Sequence, residues 1–504
     1  MKEQIHVTNK TMELCDCRND WSFNEEYQCW CLEDILYTSK AVVPETQRLS
    51  IFVPAVYMNS NGEINEKGSI NGYTAETVPV VFENNSAGYM PMPHVKLGEE
   101  RCLAKQYLER GFVYITAGNR GSESKNEKGE YCGKSPVNLV DIKTAIRFLR
   151  HNAMYLPGDF SHMISVGYSA GGAMSTLLAV TGNNEKFDAY LEENGAFMEE
   201  SDAVFAAQIY CPIVDLENAD LAYEWMFSAD KTTFGGANEM STFQKALSDK
   251  LKSRYINYFN SLKLVHPETK EILKLDEDGR SGSGYEYLMH KIDESASIFL
   301  TRLEKKELEK IYSVEEYLSG TYEGVDAKAK KSWLDWDGKK AHVSDLDSYV
   351  LNHRRRLKSC PSFDVFDNNS CENKVFGSQE EPCMHFNLEI AKAIAELKEE
   401  FPVEYEKYYT AYANAEGDKE LEKRVYLYNP HNFIGTSEKS EKAKYYRIRV
   451  GASDADTSFS VSMALALKLL DEGHPVDYQL VWEEPHCEAD YPGEVCDWIE
   501  EICR

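Results

Sequence analysis

Residues 163 to 169, MISVGYS, carry the β-branched and apolar run of a buried strand, and Ala173 to Ala179 the small, apolar run of a packed helix. Only GYSAGG is left to turn one into the other. A chain passes from strand to helix in two residues only through a crowded backbone. Gly167 and Gly171, two residues either side of Ser169, lack the β-carbons that would clash there. The pattern is G-x-S-x-G, an elbow that lifts a serine hydroxyl to the upper edge of a sheet and points the amides of the next helix at negative charge. An ordinary glycine-rich turn shares the glycines, but not the strand before and the helix after.

Further strand-like runs lie at 48–58 (RLSIFVPAVYM), 78–84 (VPVVFEN), 112–118 (FVYITAG) and 204–212 (VFAAQIYCP). Between two of them, 137–153 places Leu139, Ile142, Ala145, Ile146 and Leu149 on one helical face, so this half reads as βαβαβ. Such alternation implies a mainly parallel sheet with helices on both faces. After about residue 214 the pattern changes to charged amphipathic helices, with no convincing strand series. Strand and helix order then returns with KYYRIRVGASD at 444, TSFSVSMALALKLLDEG at 457, PVDYQLVWE at 475 and a last helix ending near Arg504. The expected organisation is an α/β core over 1–214 and 425–504, interrupted by a mostly helical inserted lid domain over 215–424.

A serine hydroxyl needs a base, and the base needs an acid to orient it. In α/β-hydrolases these follow in the chain order Ser, Asp or Glu, His. The two last strands run into GASDADTS and EEPHCEAD, which puts Asp454 and His486 on loops at the same sheet edge as Ser169. Asp454 and Asp456 could also cap the helix at Thr457, and His486 could be an exposed loop histidine. The expected oxyanion hole uses the backbone N–H of Ala170 and one from NNSAGYMP, with Gly88 the preferred donor.

A formal net charge of −29 repels phosphate backbones and anionic membrane surfaces on average, so neither nucleic acid nor membrane is an expected partner. The first twenty residues lack the basic-then-apolar order of a signal peptide, and the longest apolar stretch, VSMALALKLL at 461, is shorter than a membrane span. A cytoplasmic protein is expected. Thirteen cysteines, an odd number, fit reduced thiols better than a disulfide framework. The pairs Cys15/Cys17 and Cys29/Cys31 have a one-residue gap, not zinc-ligand spacing, and Trp30 suggests a packed strand. No metal and no cofactor are expected, and no oligomeric state is legible.

With these motifs in place, the sequence resembles the bacterial tannase family, α/β-hydrolase serine esterases that hydrolyse galloyl esters. The resemblance runs through NGYTAETVP at 71, NSAGYMP at 85, GFVYITAGNRG at 111, AIRFLRHNA at 145, GYSAGGAMS at 167, ADLAYEWMF at 219, CPSFDVFDNNSCENKVFG at 360, RVYLYNP at 424 and the Asp and His loops. It implies that Lys358 and Glu372, from the insertion, and Asp456 hold the ring hydroxyls of a phenolic ester substrate. The chemistry fits, since carboxylates accept from phenolic O–H groups and a lysine donates to the same oxygens. Without the resemblance, Lys358 and Glu372 read as solvated charges. Two departures stand out. Val450 replaces the histidine of HGxxD and could reshape the site wall, and Cys487 after His486 lacks a cysteine before Ser169, where Tyr168 stands. The alternatives are a feruloyl or hydroxycinnamoyl esterase on the same scaffold, a non-catalytic binding protein and a lidded serine peptidase.

Overall fold

The computed structural model describes residues 13–14, 20–99, 102–321, 330–487 and 489–504. Its large sheet contains β1 (Ser22–Asn24), β2 (Cys29–Leu36), β3 (Arg48–Pro54), β4 (Pro79–Asn84), β5 (Val113–Ala117), β6 (Asp159–Tyr168), β7 (Ala206–Tyr210), β8 (Tyr445–Gly451) and β9 (Val476–Val481). The spatial order is β1-β2-β3-β5-β4-β6-β7-β8-β9. From β5 through β9 every neighbouring pair is parallel, while β1, β2, β3 and β5 pair antiparallel. The central parallel strands β4, β5 and β7 expose no residue, so their sequences are predominantly apolar rather than alternating.

Helix α1 (Val137–His151) joins β5 to β6, α2 (Ala170–Val180) joins β6 to β7, and α8 (Phe459–Asp471) joins β8 to β9. These three crossovers run in one direction along the sheet, whereas β4 to β5 runs the other way. Right-handed connection therefore sends its helix, Ala104–Glu109, to the opposite face. The C-terminal helix α9 (Glu494–Ile502) lies beside that helix, with Arg110 bonded to Asp497 and Glu500. This is the mainly parallel sheet expected from the alternation of strands and helices, and the α/β-hydrolase fold that the motifs and the resemblance imply.

Between β7 and β8, residues 211–444 add no strand to the large sheet among the described residues. They hold α3 (Leu216–Phe227), α4 (Thr242–Ser261), α5 (Ser283–Glu304), α6 (Cys371–Val375) and α7 (Leu388–Glu396), with further short helices. Two small hairpins, 232–233 with 238–239 and 334–336 with 341–343, lie within this stretch and were not legible as strands. Residue 424, the expected end of the insertion, falls inside a helix, Lys419–Tyr428. No helix of the described residues is long and apolar enough to cross a membrane.

Some boundaries differ from the sequence reading. The run at 48–58 is a strand only to Pro54, after which Ala55–Tyr57 form a single 3₁₀ turn. Strands β1 and β2 escaped the pattern search apart from the Trp30 segment, because β2 is bulged between Leu32 and Ile35 and loses strict alternation. Helix α1 is buried on its polar face as well. Asp141 pairs with Arg120 at 2.7 Å, and Lys143 and Arg147 share Asp202 at 2.7 and 2.6 Å. Losing one partner of such a pair leaves an uncompensated charge, at about 3–5 kcal/mol.

The elbow explains Gly167 of the motif and Gly172 just after it. A β-carbon on Gly167 would lie 2.1 Å from the Gly171 carbonyl oxygen, and one on Gly172 would lie 2.5 Å from that of Tyr210. Both obstacles are backbone. Gly167→Ala should therefore lower stability by about 1–3 kcal/mol or more and displace Ser169. Equilibrium denaturant unfolding checks this, and an unchanged midpoint would contradict it.

Candidate functional site

Ser169 occupies the last position before α2 at φ 58° and ψ −122°. A non-glycine residue there stores about 1–3 kcal/mol of strain. Three backbone bonds hold it: its N–H donates to Tyr210 O at 3.0 Å, and its carbonyl accepts from Ala173 and Ile213 at 3.0 and 3.3 Å. Its hydroxyl is directed at the loops that follow β8 and β9.

His486 Nε2 lies 2.8 Å from Ser169 Oγ, and His486 Nδ1 lies 2.7 Å from Asp454 Oδ2. A carboxylate only accepts, so Nδ1 carries the hydrogen and the neutral ring leaves Nε2 free to accept from the serine. Asp454 is fully buried, and its other oxygen accepts the Asp456 N–H at 2.7 Å. The helix-cap alternative does not hold for either aspartate, because Ser458 caps α8.

The two loops meet through backbone. Ser453 N–H donates to Glu484 O at 2.9 Å. A β-carbon on Gly451 would lie 2.1 Å from Pro485 O, so only glycine permits this approach. The far side of the histidine loop is tied down at Asp490, which accepts from both Arg447 terminal nitrogens and from Tyr210 Oη, all at 2.7 Å. Val450 is buried within β8 opposite Leu480, so it belongs to the sheet core and not to a site wall.

Burial by itself would depress the His486 imidazole. The hydrogen bond to Asp454, with contributions from Cys211 and Cys487, outweighs it and holds the group above its ordinary value of 6.5. Cys211 was not singled out from the sequence, although it is the first residue past β7 and therefore on the same carboxyl edge. Its thiol donates to Cys487 O at 3.6 Å. Burial, then the charge of Asp454, pushes it up to about 11, so it is protonated and neutral near pH 7. The donor atoms of Cys211, Asp454 and His486 lie within 4.8 Å of one another, a metal-like spacing. The carboxylate and the imidazole of that group are already bonded to each other, and the imidazole also to Ser169. The described cysteines are all unpaired. Cys15 and Cys17 lie outside the described residues.

The expected oxyanion donors lie at the start of α2 and on a turn packed against it. Ala170 opens α2, and a first-turn N–H has no acceptor within its helix. Gly88 sits at φ 56° in a one-turn 3₁₀ helix, Ala87–Tyr89, packed against α2 and α6. A β-carbon on it would meet Cys371 Sγ at 3.3 Å. Asn84, at the end of β4, fixes this corner by donating to Val166 O, Gly171 O and Ser175 Oγ.

The three remaining residues come from separate segments. Glu372 is buried on α6, close enough to the Gly88 turn that its charge helps raise the buried Tyr89 phenol, after burial itself. Lys358 is half-buried beside the start of α6, with Nζ 3.8 Å above the Phe363 ring. Asp456 is partly exposed, its Oδ2 4.0 Å from His486 Nδ1.

Residues 89–253 match the BD-FAE family model. Over nearly the whole chain the fold is similar to a tannin acyl hydrolase in complex with 3,4-dihydroxybenzoate, at 30% identity, TM-score 0.79 and 94% of each chain covered. It is equally similar to a tannin acyl hydrolase in complex with ethyl gallate (30%, TM-score 0.77, 94% of each chain). Fusobacterium nucleatum tannase gives 30% identity and a TM-score of 0.76, over 94% of this chain and 95% of that one. No curated protein matches the sequence.

For Nε2 to accept a proton, His486 must first lose its own charge. Because the folded environment raises this imidazole, the acid limb of kcat/KM should lie above 6.5. Asp454→Asn removes the principal raising contribution, so the limb should move to lower pH while the rate falls by on the order of 10⁴. A pH profile of an activated ester reads both effects. A wild-type limb at or below the ordinary histidine value contradicts the assignment.

Proposed function

The chain belongs to the bacterial tannase (tannin acyl hydrolase) family, and from that premise we propose that it is a serine esterase cleaving esters of hydroxylated benzoic acids, gallate foremost. The observation that carries the reading is the unbroken relay from Ser169 Oγ through His486 to buried Asp454. Ser169 attacks the ester carbonyl while His486 Nε2 takes its proton, and Asp454 steadies the imidazolium. The N–H groups of Ala170 and Gly88 receive the oxyanion. Collapse expels the alcohol, which takes the proton back from His486, and leaves the acyl group on Ser169. Water, deprotonated by the same imidazole, then releases the carboxylic acid.

Lys358, Glu372 and Asp456 are the proposed contacts to the ring hydroxyls. Two carboxylates and one ammonium suit a phenol, whose O–H groups donate to the acids and whose oxygens accept from the lysine. An unsubstituted benzoyl or aliphatic acyl group leaves these partly buried groups without partners. The small-molecule phenolic ester is the proposed partner. The odd cysteine count supports a reducing, cytoplasmic setting.

Ser169→Ala should abolish turnover and labelling by a serine-directed phosphonate while leaving the circular-dichroism spectrum intact. Wild-type protein that is not labelled stoichiometrically at Ser169 would instead support a binding protein. On a panel of esters, methyl gallate and methyl protocatechuate should exceed methyl benzoate in kcat/KM by on the order of a hundredfold or more. Methyl ferulate should fall well behind, since its methoxy group blocks one donor and its vinyl spacer displaces the ring. Glu372→Gln, Lys358→Met and Asp456→Asn should each shrink the gallate advantage while sparing an aliphatic ester. If methyl ferulate or the aliphatic ester equals methyl gallate, the galloyl assignment fails and the serine esterase remains.

A further inference from the structure

The motif ADLAYEWMF lies on α3 and contributes no residue to the relay, and nothing above uses it. Its residues Asp220, Tyr223 and Glu224 are spaced i, i+3, i+4, on one helical face, and all three are fully buried. That face grips the segment bearing Lys358. Asp220 Oδ1 accepts the N–H groups of Ser362 and Phe363 at 2.6 and 2.9 Å. Glu224 holds the buried Arg356 guanidinium at 2.6 and 3.0 Å, and Arg356 Nε in turn donates to Lys358 O at 3.0 Å.

Tyr223 does something different. Its hydroxyl accepts the N–H groups of Leu357 and Lys358, both at 3.0 Å, and donates to Ala455 O at 2.9 Å. A phenol oxygen in this role has two acceptor positions and one hydrogen, and all three are used. Ala455 stands between Asp454 and Asp456, so a single hydroxyl pins the lysine segment of the insertion to the acid loop of the core. The Lys358 ammonium is fixed at its other end over Phe363, whose own N–H is held by Asp220.

We propose that Tyr223 is a specificity-positioning residue, whose hydroxyl sets the separation of Lys358 and Asp456 and so the preference for ring-hydroxylated acyl groups. The proposal rests on the reading that these two residues contact the ring. Removing the hydroxyl strands two N–H groups and one carbonyl. Water must then enter or the two segments part, and the ammonium and carboxylate lose their register. The relay itself is untouched, because Asp454 keeps its bonds to His486 and to the Asp456 N–H.

The test is Tyr223→Phe in the full chain, with kcat and KM for methyl gallate and methyl butyrate, and with phosphonate labelling of Ser169. Tyr446→Phe is the control. It removes a buried hydroxyl bonded to Ala179 O at 3.1 Å, near the amino end of β8 and away from the site. Expected is a fall in the gallate-to-butyrate ratio of kcat/KM by on the order of tenfold or more, carried mainly by KM for gallate. Labelling should proceed at the wild-type rate, and the control should keep the ratio. A Tyr223→Phe enzyme with the ratio within twofold of wild type, or with equal losses on both esters, overturns the proposal alone. A wild type that does not prefer gallate overturns the substrate reading and takes this proposal with it. Should Tyr223→Phe not fold, 3-fluorotyrosine at position 223 preserves the packing but weakens the oxygen as an acceptor. A lowered ratio then supports the proposal, and an unchanged ratio overturns it.

Discussion

Everything at the carboxyl edge of the sheet depends on how closely the end of β6 approaches the start of α2. The Gly167 backbone lies so near the Gly171 carbonyl that no β-carbon fits between them. This contact forces Ser169 into a backbone conformation that a serine does not choose freely. Its hydrogen bonds with Tyr210, Ala173 and Ile213 hold it there, and two of those partners come from the strand and loop of β7. The strain is therefore stored jointly by neighbouring strands, which is why a hydroxyl can be presented rigidly on what is formally a loop.

The same device recurs where the acid and histidine loops meet. Gly451 ends β8 beneath the Pro485 carbonyl, and Arg447, buried in that strand, holds Asp490 beyond the histidine. Parallel pairing fixes the ends of β6, β8 and β9 on one edge, and each loop then needs only a few residues to reach the centre. Position comes from the sheet, and orientation from backbone contacts between loops. The imidazole tautomer follows from the carboxylate alone.

This division explains what the sequence disclosed. Ser169, Asp454 and His486 could be named because each stands at or just after the end of a strand that the sequence marks, and because their chain order is diagnostic. The edge strands β1 and β2 were less legible, since a bulge breaks their alternation. The burial of the polar face of α1 was not legible for another reason: Asp141, Lys143 and Arg147 meet Arg120 and Asp202, distant in sequence, only in the fold. Cys211 was overlooked although it obeys the same edge rule as Ser169, because a lone cysteine after a strand has no pattern of its own. In the insertion the contacts of Glu372 and Lys358 depend on α6, a helix of a single turn and a half, and no periodicity announces so short an element.

On the proposed roles, chemistry and selectivity have separate structural sources. The relay is assembled wholly from core loops, while two of the three proposed ring contacts come from the insertion, whose described segments add no strand to the large sheet that could register them. Without that register, their positions must be set by side chains, and α3 supplies these in the form of Asp220, Tyr223 and Glu224. Buried charges are expensive to hold in place unless fully satisfied, and here each one is. Asp220 takes several backbone N–H groups, and Glu224 takes a complete guanidinium. The two sources touch through Ala455, whose carbonyl lies one residue from each aspartate. A change on the insertion can reach Asp456 by this route without moving Asp454, because the bond between the Asp456 N–H and Asp454 Oδ1 secures the acid loop from the inside. Such an arrangement lets the acyl pocket vary while the nucleophile, base and acid keep their distances.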